Sequence, residues 1–405
     1  MRILHITGQK PNSTGSGVYM SGLVNNLKKL GHEQGVIAGI DIKDSKECFS
    51  QDIKFYPVIF NDSNLPFSVV GMSDIMPYES TRYKDLTEDM IIMLKKQFLS
   101  TLYKAINEFK PEIIICNHLY LITAFVREAI TDIKVFGICH GTCLRQLSNI
   151  DLRKEYIISN IQKLDKILVL HEEQRKMVKQ LFKIDEKKII VVGSGYDDSI
   201  FYNKNIKKNK KSINITYAGK ICKSKGIKSL LLSLNQLSYD KDLVTLNVAG
   251  SSSNKEELKE ILQLADNCKY KINFLGRLNH NDLSQLFNKS DLFILPSFYE
   301  GLPVVVLEAL ACGCKVIVSD INGVKNWMGK EINESECISY VQLPRMKSAG
   351  NPVKSDLTFF EDELSCKISE NIDNMLSNNK RKVLDMKDKT WYGLSKRVDK
   401  LIKQI

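Results

Sequence analysis

The sequence has no long hydrophobic run. Its 405 residues are 43% hydrophobic and 26% charged, which is a globular composition. No apolar stretch approaches the ~20 residues that span a bilayer. The first residues, MRILHITGQKP, lack the apolar segment and the small-residue cleavage site of a secretion signal. We therefore expect a cytoplasmic protein, with peripheral attachment to the inner face of an anionic membrane as an alternative.

The sequence also lacks paired cysteine spacing. It contains ten cysteines, but none in a CxxC…CxxC arrangement. The nearest pairs, Cys139 with Cys143 and Cys312 with Cys314, have no zinc-like partners beside them. We interpret them as buried thiols in a reducing compartment, and we predict no metal site.

Acidic residues are fewer than basic ones. The chain has 58 Lys and Arg against 47 Asp and Glu, a formal net charge of +11, which can favour nucleic acid, anionic lipid or phosphorylated substrates. The densest basic run, KNIKKNKK at 204–211, has none of the interleaved aromatic residues on which bases stack. We interpret it as a solvated linker and expect no nucleic-acid partner.

Short apolar strands alternate with helical segments along the whole chain, a pattern that favours parallel α/β sheets. The first half begins with the strand RILHIT and the helix GVYMSGLVNNLKKLGH. After the lysine-rich run, five further strands are predicted, from INITYAGK to CKVIVSD. The expected fold class is α/β, with two Rossmann-like doubly wound domains.

The predicted domain bounds follow from the restart of this pattern. The first domain is placed at residues 1–202, the linker at 203–212 and the second domain at 213–387. The last segment, 388–405, is amphipathic and is expected to pack back on the first domain. In such sheets ligands bind beyond the carboxyl ends of the strands, so candidate site residues are sought there.

A glycine-containing loop follows the first strand. Gly15 and Gly17 stand just before a helix, where they allow a backbone to approach an anion closely. A flexible loop is the alternative. Met20 occupies the last position of a G-x-G-x-x-G spacing, which argues against a nicotinamide dehydrogenase.

Two lysines follow the first strand of the second half, in YAGKICKSKGIKSLL. Lys220 and Lys225 are five positions apart, and Gly226 opens the next helix. Two cations at a strand-to-helix turn suit a diphosphate, because each can meet a different charged oxygen. A solvated lysine loop is the alternative.

The segment PSFYEGLPVVVLEALACG carries two glutamates around a predicted helix start. Pro303 favours a helix beginning there, which places Glu300 in the preceding loop and Glu308 inside the helix. A diphosphate at the helix N-terminus would leave one carboxylate for each flanking sugar, since carboxylates accept hydrogen bonds from hydroxyls. A helix-dipole role is the alternative for Glu300, but it does not explain Glu308.

These segments resemble a known family. PSFYEGLPVVVLEALACGCKVIVSD is similar to the donor-site signature of retaining GT-B glycosyltransferases of the family 4 type, the glycosyl transferases group 1. YAGKICKSKGIKSLL, GSGYDDSIF and GSGVYMSGLVNNLKKLGHE resemble further motifs of this family, in the same order. The resemblance is strongest from Gly193 to Asp320 and weak in residues 41–110. It implies a GT-B fold with two domains facing a central cleft.

The resemblance also implies roles for individual residues. Glu308 would bind the ribose hydroxyls and Glu300 the transferred sugar, while Lys220 and Lys225 would hold the diphosphate and stabilise the leaving group. His140, in GICHGT, matches the family's histidine near the reacting sugar, with a buried core histidine as the alternative. Further donor-binding positions are Gly15, Gly17, Arg277 (near the base), Gly301, Leu302, Pro303 and Val304.

Some positions, including Asn322 where a glycine is common, depart from the family pattern. Lys220 stands where arginine is usual and lacks the bidentate fork of a guanidinium. Ser194 stands where asparagine is usual, and Lys325 where an acidic residue is common. These differences bear on the identity of the donor more than on the reaction.

The implied function is retaining transfer of a hexosyl or N-acetylhexosaminyl group from a nucleoside-diphosphate sugar, expected to be UDP-linked. The acceptor would be a glycan, lipid-linked saccharide or protein, contacted by Asn61–Glu88, and no metal or other cofactor is expected. The DxD triplet Asp240-Lys-Asp242 precedes a strand, so we interpret it as a surface turn. The alternatives are a sugar-nucleotide epimerase or hydrolase and a non-catalytic sugar-nucleotide-binding subunit.

Overall fold

The chain forms two compact α/β units. The structure, a computed structural model, describes residues 1–45, 48–73, 76–206, 212–377 and 384–404. The first unit comprises Met1–Gly195 together with Trp391–Ile405, and the second comprises Tyr196–Thr390.

The first unit is built on a seven-stranded sheet. The strands of this sheet are β1 (Arg2–Thr7), β2 (Glu33–Asp41), β3 (Lys54–Phe60), β6 (Ile113–Asn117), β7 (Lys134–Ile138), β8 (Lys166–Val169) and β9 (Ile189–Val191). Two short strands, β4 (Val70–Gly71) and β5 (Thr81–Arg82), form a separate two-stranded sheet. The helices of the first unit are α1 (Gly15–Lys29), α2 (Glu88–Phe109), α3 (Leu121–Ala129), α4 (Thr142–Asn149), α5 (Lys154–Ile161) and α6 (Glu172–Phe182). The sheet order is β3-β2-β1-β6-β7-β8-β9, and all its pairs are parallel.

The second unit repeats this arrangement. Its strands are β10 (Ile213–Ala218), β11 (Val244–Ala249), β12 (Lys271–Gly276), β13 (Leu292–Leu295), β14 (Lys315–Ser319), β15 (Ile338–Val341), β16 (Met346–Ser348) and β17 (Asn351–Pro352). Its helices are α7 (Ile227–Asn235), α8 (Lys255–Asp266), α9 (His280–Lys289), α10 (Val304–Ala311), α11 (Val324–Asn333) and α12 (Leu357–Ser377), and α13 (Trp391–Ile402) follows in the first unit. The main sheet is parallel, in the order β12-β11-β10-β13-β14-β15.

Each main sheet reverses its strand order at one point. The reversal lies between β1 and β6 in the first unit and between β10 and β13 in the second. In doubly wound sheets the loops that leave two such strands diverge to opposite faces and open a crevice at the carboxyl edge. The predicted α/β class with two doubly wound sheets is confirmed.

Buried strands explain why sequence pattern was informative here. Strands such as β6 and β13 are buried along their whole length, as parallel strands covered on both faces are. The edge strands β3 and β15 are absent from the predicted set. β3 contains Pro57, which a sheet tolerates at its edge because one side of the strand donates no ladder hydrogen bonds.

The structure places the boundary between the two units, and part of the predicted linker, differently from the prediction. The structure divides the chain at Gly195–Tyr196, ahead of the expected residue 202, and the first residues of the expected linker bind α9. The Lys204 amide donates to Asn288 Oδ1 at 2.7 Å, and Asn288 Nδ2 donates to the Tyr202 carbonyl at 3.0 Å. The rest of the predicted linker, 207–211, lies outside the described residues.

The segment Asn61–Glu88 contributes to the core of the first unit. Leu65, Val69 and Val70 are fully or almost fully buried there, and β4 pairs with β5. Residues 74 and 75 lie outside the described ranges. Among the residues that the structure describes, no helix is both long and apolar enough to cross a bilayer.

Helix α13 packs closely on α1 within the first unit. A Cβ at Gly22 would lie 2.5 Å from Cδ2 of Trp391, and the Trp391 ring meets the Tyr19 ring edge-on at 5.5 Å. At the other end of the contact, His32 Nε2 lies 2.8 Å from Asp399 Oδ1. A helical glycine is therefore required where the indole lies against the backbone of α1.

We expect Gly22→Ala to destabilise the protein by about 1–3 kcal/mol, because the added methyl overlaps the indole. In a Trp391→Ala background the same change should be neutral or stabilising, since alanine is favoured over glycine in a helix by roughly 0.5–1 kcal/mol. Thermal and urea unfolding of the four proteins would check this. Equal destabilisation in both backgrounds would contradict the packing argument.

Candidate active site

In the second unit, the loops after β10 and β13 are joined at the reversal point of the sheet. The Phe298 amide donates to the Ser224 carbonyl at 2.9 Å, and Lys225 Nζ donates to the Tyr299 carbonyl at 3.2 Å. Each loop therefore fixes the backbone of the other.

Gly226 permits this approach. Its φ is +69°, and a Cβ there would lie 1.9 Å from the Pro296 carbonyl oxygen. Any side chain at this position would push the two loops apart, since backbone atoms cannot yield as a flexible side chain can.

The joined loops bring Lys225 and Glu300 together. Lys225 Nζ lies 2.7 Å from Glu300 Oε2, and the two side chains are 21% and 17% exposed. Ser297 Oγ donates to the other oxygen of Glu300 at 2.8 Å. The result is an oriented pair of opposite charges at the surface, one able to meet an anion and the other able to accept hydrogen bonds from hydroxyls.

Lys220 follows β10 and has a fixed backbone with a free side chain. The Tyr217 hydroxyl donates to the Lys220 carbonyl at 2.6 Å. Lys220 itself is exposed, and among the described residues none bonds or pairs with its ammonium. A second positive charge thus stands unneutralised on the loop that also carries Lys225.

Glu308 lies one turn inside α10, which begins immediately after Pro303, as predicted. Within the described part of the chain, no group donates a hydrogen bond to its carboxyl. Burial raises the pKa of that carboxyl to about 8, and the negative charge of nearby Asp197 adds to the rise. Glu308 is therefore largely protonated at neutral pH, in contrast to a surface glutamate.

The segment between the two glutamates is partly open. Gly301 is exposed, Pro303 is buried, and Leu302 and Val304 pack against the core of the second unit. Over the described ranges, the amides of Gly301 and Leu302 find no acceptor. These free donors precede a helix N-terminus, an arrangement that favours an anion.

Arg277 makes no contact with these residues through a hydrogen bond or an ion pair in the part of the chain that the structure describes. It follows the edge strand β12, is exposed, and forms no hydrogen bond or ion pair with another described residue. The helix α9 begins just beyond it, and Phe201 packs on His280 of that helix at 5.9 Å between ring centroids.

The glycine loop in the first unit opens α1. Thr14 caps the helix, its side chain accepting a hydrogen bond from the Gly17 amide at 3.1 Å. A Cβ at Gly17 would lie 2.9 Å from the Asn12 amide nitrogen, whereas one at Gly15 would meet nothing within 4 Å. Gly17 is thus needed for the turn itself, and Gly15 leaves an exposed gap at the helix start.

His140 lies at the end of β7 in a hydrogen-bonded setting. Its Nε2 lies 3.0 Å from Asn117 Oδ1, and its ring meets Tyr19 edge-on at 5.1 Å. Burial, aided by the neighbouring His118, holds the pKa of His140 well below its usual range. Since an amide oxygen only accepts, Nε2 carries the proton, and the ring is neutral at physiological pH.

Sequence reasoning missed a buried network beside His140. Gln9 Oε1 accepts from Ser16 Oγ at 2.9 Å and lies 3.1 Å from His118 Nε2. Gln9 and His118 are both buried, and they follow β1 and β6, the two strands at the reversal point. Polar residues directly after two predicted strands were the available signal, but only the order of the strands makes them neighbours. Asp197, whose charge contributes to the raised pKa of Glu308, was also missed.

The cysteines and the DxD triplet show no ligand-like geometry. All ten cysteines are free, and six of them are buried. The Cys139 and Cys143 sulfurs lie 3.7 Å apart. Asp240 accepts from the Asp242 amide in an exposed turn before β11. In the part of the chain that the structure describes, no three His, Cys, Asp or Glu side chains cluster as metal ligands.

The raised pKa of Glu308 predicts a pH-dependent stability. Between its ordinary value of 4.5 and about 8, the folded protein holds a proton that the unfolded chain releases, so stability falls as pH rises through this window. Glu308→Gln removes that loss. We expect the variant to gain roughly 3–5 kcal/mol over wild type as pH rises across the window.

Thermal unfolding from about pH 5 to about pH 8.5 would measure this difference. The matched control is Glu334→Gln, at a glutamate whose side chain is 66% exposed, and its difference from wild type should stay constant. A constant difference for Glu308→Gln as well would show that its carboxyl ionises normally.

Comparison with known families identifies both halves of the chain. The profile of Glycosyltransferase Family 4 matches residues 13–200, and the profile of Glycosyl transferases group 1 matches residues 198–334. The second match contains Lys220, Lys225, Glu300 and Glu308.

Curated relatives carry the same description. An uncharacterized glycosyltransferase of Haemophilus influenzae is 25% identical over 316 residues, 78% of this chain and 80% of that protein. The UDP-Gal:alpha-D-GlcNAc-diphosphoundecaprenol alpha-1,3-galactosyltransferase of Escherichia coli is 31% identical over 173 residues, 39% of this chain and 43% of that protein. An uncharacterized glycosyltransferase of Methanocaldococcus jannaschii is 25% identical over 179 residues, 41% of this chain. The chain spans less than half of the last two proteins, 45% in the archaeal case.

Solved structures share the fold over the full length. Alr3699/HepE of Anabaena, in complex with UDP, superposes with a TM-score of 0.69 at 13% identity, covering 100% of both chains. The lipopolysaccharide outer core galactosyltransferase WaaB, in its apo form, gives 0.65 at 16% identity, covering 100% of this chain and 99% of that one.

Proposed function

The chain belongs to the group 1 glycosyltransferases, with their GT-B fold, and on that basis we propose that it transfers a sugar from a UDP-linked donor to a saccharide hydroxyl with retention of configuration. One observation carries the proposal: Lys220, the Lys225–Glu300 pair and the free amides before α10 line the reversal point of one sheet. Together they offer positive charge for a diphosphate and a carboxylate for a sugar.

The leaving group is the step that these residues assist. Breaking the glycosidic bond to the donor builds negative charge on the β-phosphate. Lys220 and Lys225 would stabilise that charge, with help from the amides of Gly301 and Leu302, and such electrostatic stabilisation is the largest catalytic contribution to expect. The lysines would supply this charge without a metal ion.

Retention would follow from attack on the face that the diphosphate leaves. A phosphate oxygen would take the acceptor's proton, so no separate general base is required. Glu300, oriented by Ser297 and Lys225, would bind hydroxyls of the transferred sugar. His140, neutral and held by Asn117, would position the sugar as a hydrogen-bonding group and not as an acid.

Glu308 would bind the ribose of the nucleotide. Two vicinal hydroxyls donate well to a carboxylate, and no protein donor competes for it. Because the free carboxyl is largely protonated near neutral pH, ribose binding would favour release of that proton.

The acceptor is proposed from the relatives' printed functions. The E. coli relative acts on a diphosphoundecaprenol-linked sugar, and the WaaB structure is that of a lipopolysaccharide outer core galactosyltransferase. We therefore favour a lipid-linked saccharide in cell-surface glycan synthesis. The exposed parts of Asn61–Glu88 are the proposed contact region.

Nucleotide binding tests the donor site. We expect UDP to raise the melting temperature of the wild-type protein, and Glu308→Ala to weaken UDP binding roughly 10- to 100-fold, since a hydrogen bond to a charged group is lost. Isothermal titration calorimetry with UDP, GDP and their glucose conjugates would provide the affinities.

The control is Glu361→Ala. Glu361 is also a partly buried glutamate with a pKa raised by burial, but it lies on α12, where Ser229 Oγ donates to it at 2.8 Å. This variant should bind UDP like wild type. Failure of every nucleotide to bind the wild-type protein would refute the proposed donor site.

Lysine substitution tests the leaving-group role. We expect Lys220→Ala to lower kcat by roughly a hundredfold. The control is Lys271→Ala, at an exposed lysine at the amino end of the edge strand β12, whereas the candidate site follows the carboxyl ends of β10 and β13. This variant should leave kcat unchanged. The measurement is sugar transfer from the donor found above to undecaprenyl-linked GlcNAc, with and without EDTA. A reaction abolished by EDTA, or nucleotide release equally fast without acceptor, would contradict the proposed metal-free transfer.

A further inference from the structure

A small hairpin lies beyond the family match. β16 and β17 pair antiparallel between β15 and α12, whereas the group 1 profile ends at residue 334. No role follows for this hairpin from the reaction proposed above.

The tip of the hairpin lies against both loops of the candidate site. Gly350, at the turn, has a φ of +75°, and a Cβ built on it would lie 3.0 Å from Cβ of Ser224 and 3.7 Å from Cβ of Tyr299. The first distance is tighter than ordinary van der Waals contact. A glycine is therefore required at the tip, both for its backbone conformation and for this approach.

The two contacted residues are direct neighbours of the charged pair. Ser224 precedes Lys225 and Tyr299 precedes Glu300, and the Tyr299 carbonyl also accepts from Lys225 Nζ. A shift of either contacted residue would therefore move one member of the 2.7 Å ion pair relative to the other.

The base of the hairpin is anchored to the second unit. Arg345 donates to Asp356 through Nε at 2.7 Å and Nη2 at 2.9 Å, a two-point contact with fixed geometry. The Val353 amide donates to the Arg345 carbonyl at 2.8 Å, and Met346 packs against the core. The hairpin is thus anchored at its base and packed at its tip, so that its position can affect the two loops that the tip contacts.

We propose that this hairpin, residues 346–352, is a positioning element of the donor site, with Gly350 as the residue through which it sets the spacing of Lys225 and Glu300. The substrate that this pair meets rests on the proposed function. The positional effect on the pair does not, so the two can be tested separately.

The first experiment measures the pair without any ligand. Acetylation of Lys225 by a limiting dose of N-hydroxysuccinimidyl acetate, read by mass spectrometry against Lys271, reports how well Glu300 and the loops protect its ammonium. We expect Gly350→Ala to raise the relative rate for Lys225 several-fold. Ser224→Gly, which removes the Cβ that the new methyl meets, should restore the wild-type rate in the double variant.

Gly31→Ala is the matched control. Gly31 has a φ of +89° and nothing within 4 Å of an added Cβ, so alanine there suffers the backbone strain alone. If this control changes Lys225 as Gly350→Ala does, or if Ser224→Gly fails to restore protection, the tip contact does not position the pair and the proposal is wrong.

A second variant covers the case in which Gly350→Ala does not fold. Arg345→Ala releases the base of the hairpin at a side chain that is 79% exposed, and it leaves the tip sequence intact. It should raise Lys225 acetylation in the same direction, with a melting temperature close to that of wild type. Unchanged acetylation in this folded variant would also overturn the proposal.

The last measurement connects the hairpin to the substrate. In Gly350→Ala we expect kcat with the UDP-sugar donor to fall about tenfold, because small displacements of positioned groups are costly, while the affinity for free UDP falls by a smaller factor, since Glu308 and Lys220 still bind it. If the affinity for free UDP fell by the same factor as kcat with the UDP-sugar, a role of the hairpin at the Lys225–Glu300 pair would be contradicted. If wild type binds neither, the proposed function fails, and the acetylation result alone decides on the hairpin.

Discussion

The candidate site depends on one backbone contact, the approach of Gly226 to the Pro296 carbonyl. A Cβ on Gly226 would lie 1.9 Å from that oxygen, so the two loops can meet only because position 226 has no side chain. The contact lies where β10 and β13 are neighbours in the sheet. Lys225 and Glu300 become an ion pair as a consequence, and the hairpin tip can then touch both loops at once.

Glu300 and Glu308 differ in environment as well as in their position along the chain. Glu300 has a lysine and a serine hydroxyl as partners, whereas Glu308 has neither cation nor donor among the described residues, and its pKa is raised to about 8. A carboxylate already oriented suits a group that must bind a reacting sugar in a fixed pose. A partly buried and unpartnered carboxyl suits a group that gains its hydrogen bonds only from a ligand.

Sequence patterns were most informative where burial is continuous. β6 and β13 are buried along their whole length, as strands of a parallel sheet covered on both faces are, and the start of α10 followed from Pro303. The edge strands β3 and β15 escaped prediction, although β12, an edge strand with more exposed residues, was predicted. The hairpin escaped because two- and three-residue strands carry no periodic signal, and its significance depends on Ser224 and Tyr299, which are distant in sequence.

The sequence alone determined the class of the fold, the family and the residue types available for the site, because these depend on hydrophobic spacing and on short contiguous motifs. The tertiary structure decided which of those residues meet. The pairing of Lys225 with Glu300, the freedom of Lys220, the lone carboxyl of Glu308 and the neutral ring of His140 all depend on strand order and on burial. Neither property is local, since both arise only when segments far apart in the chain pack together and exclude water.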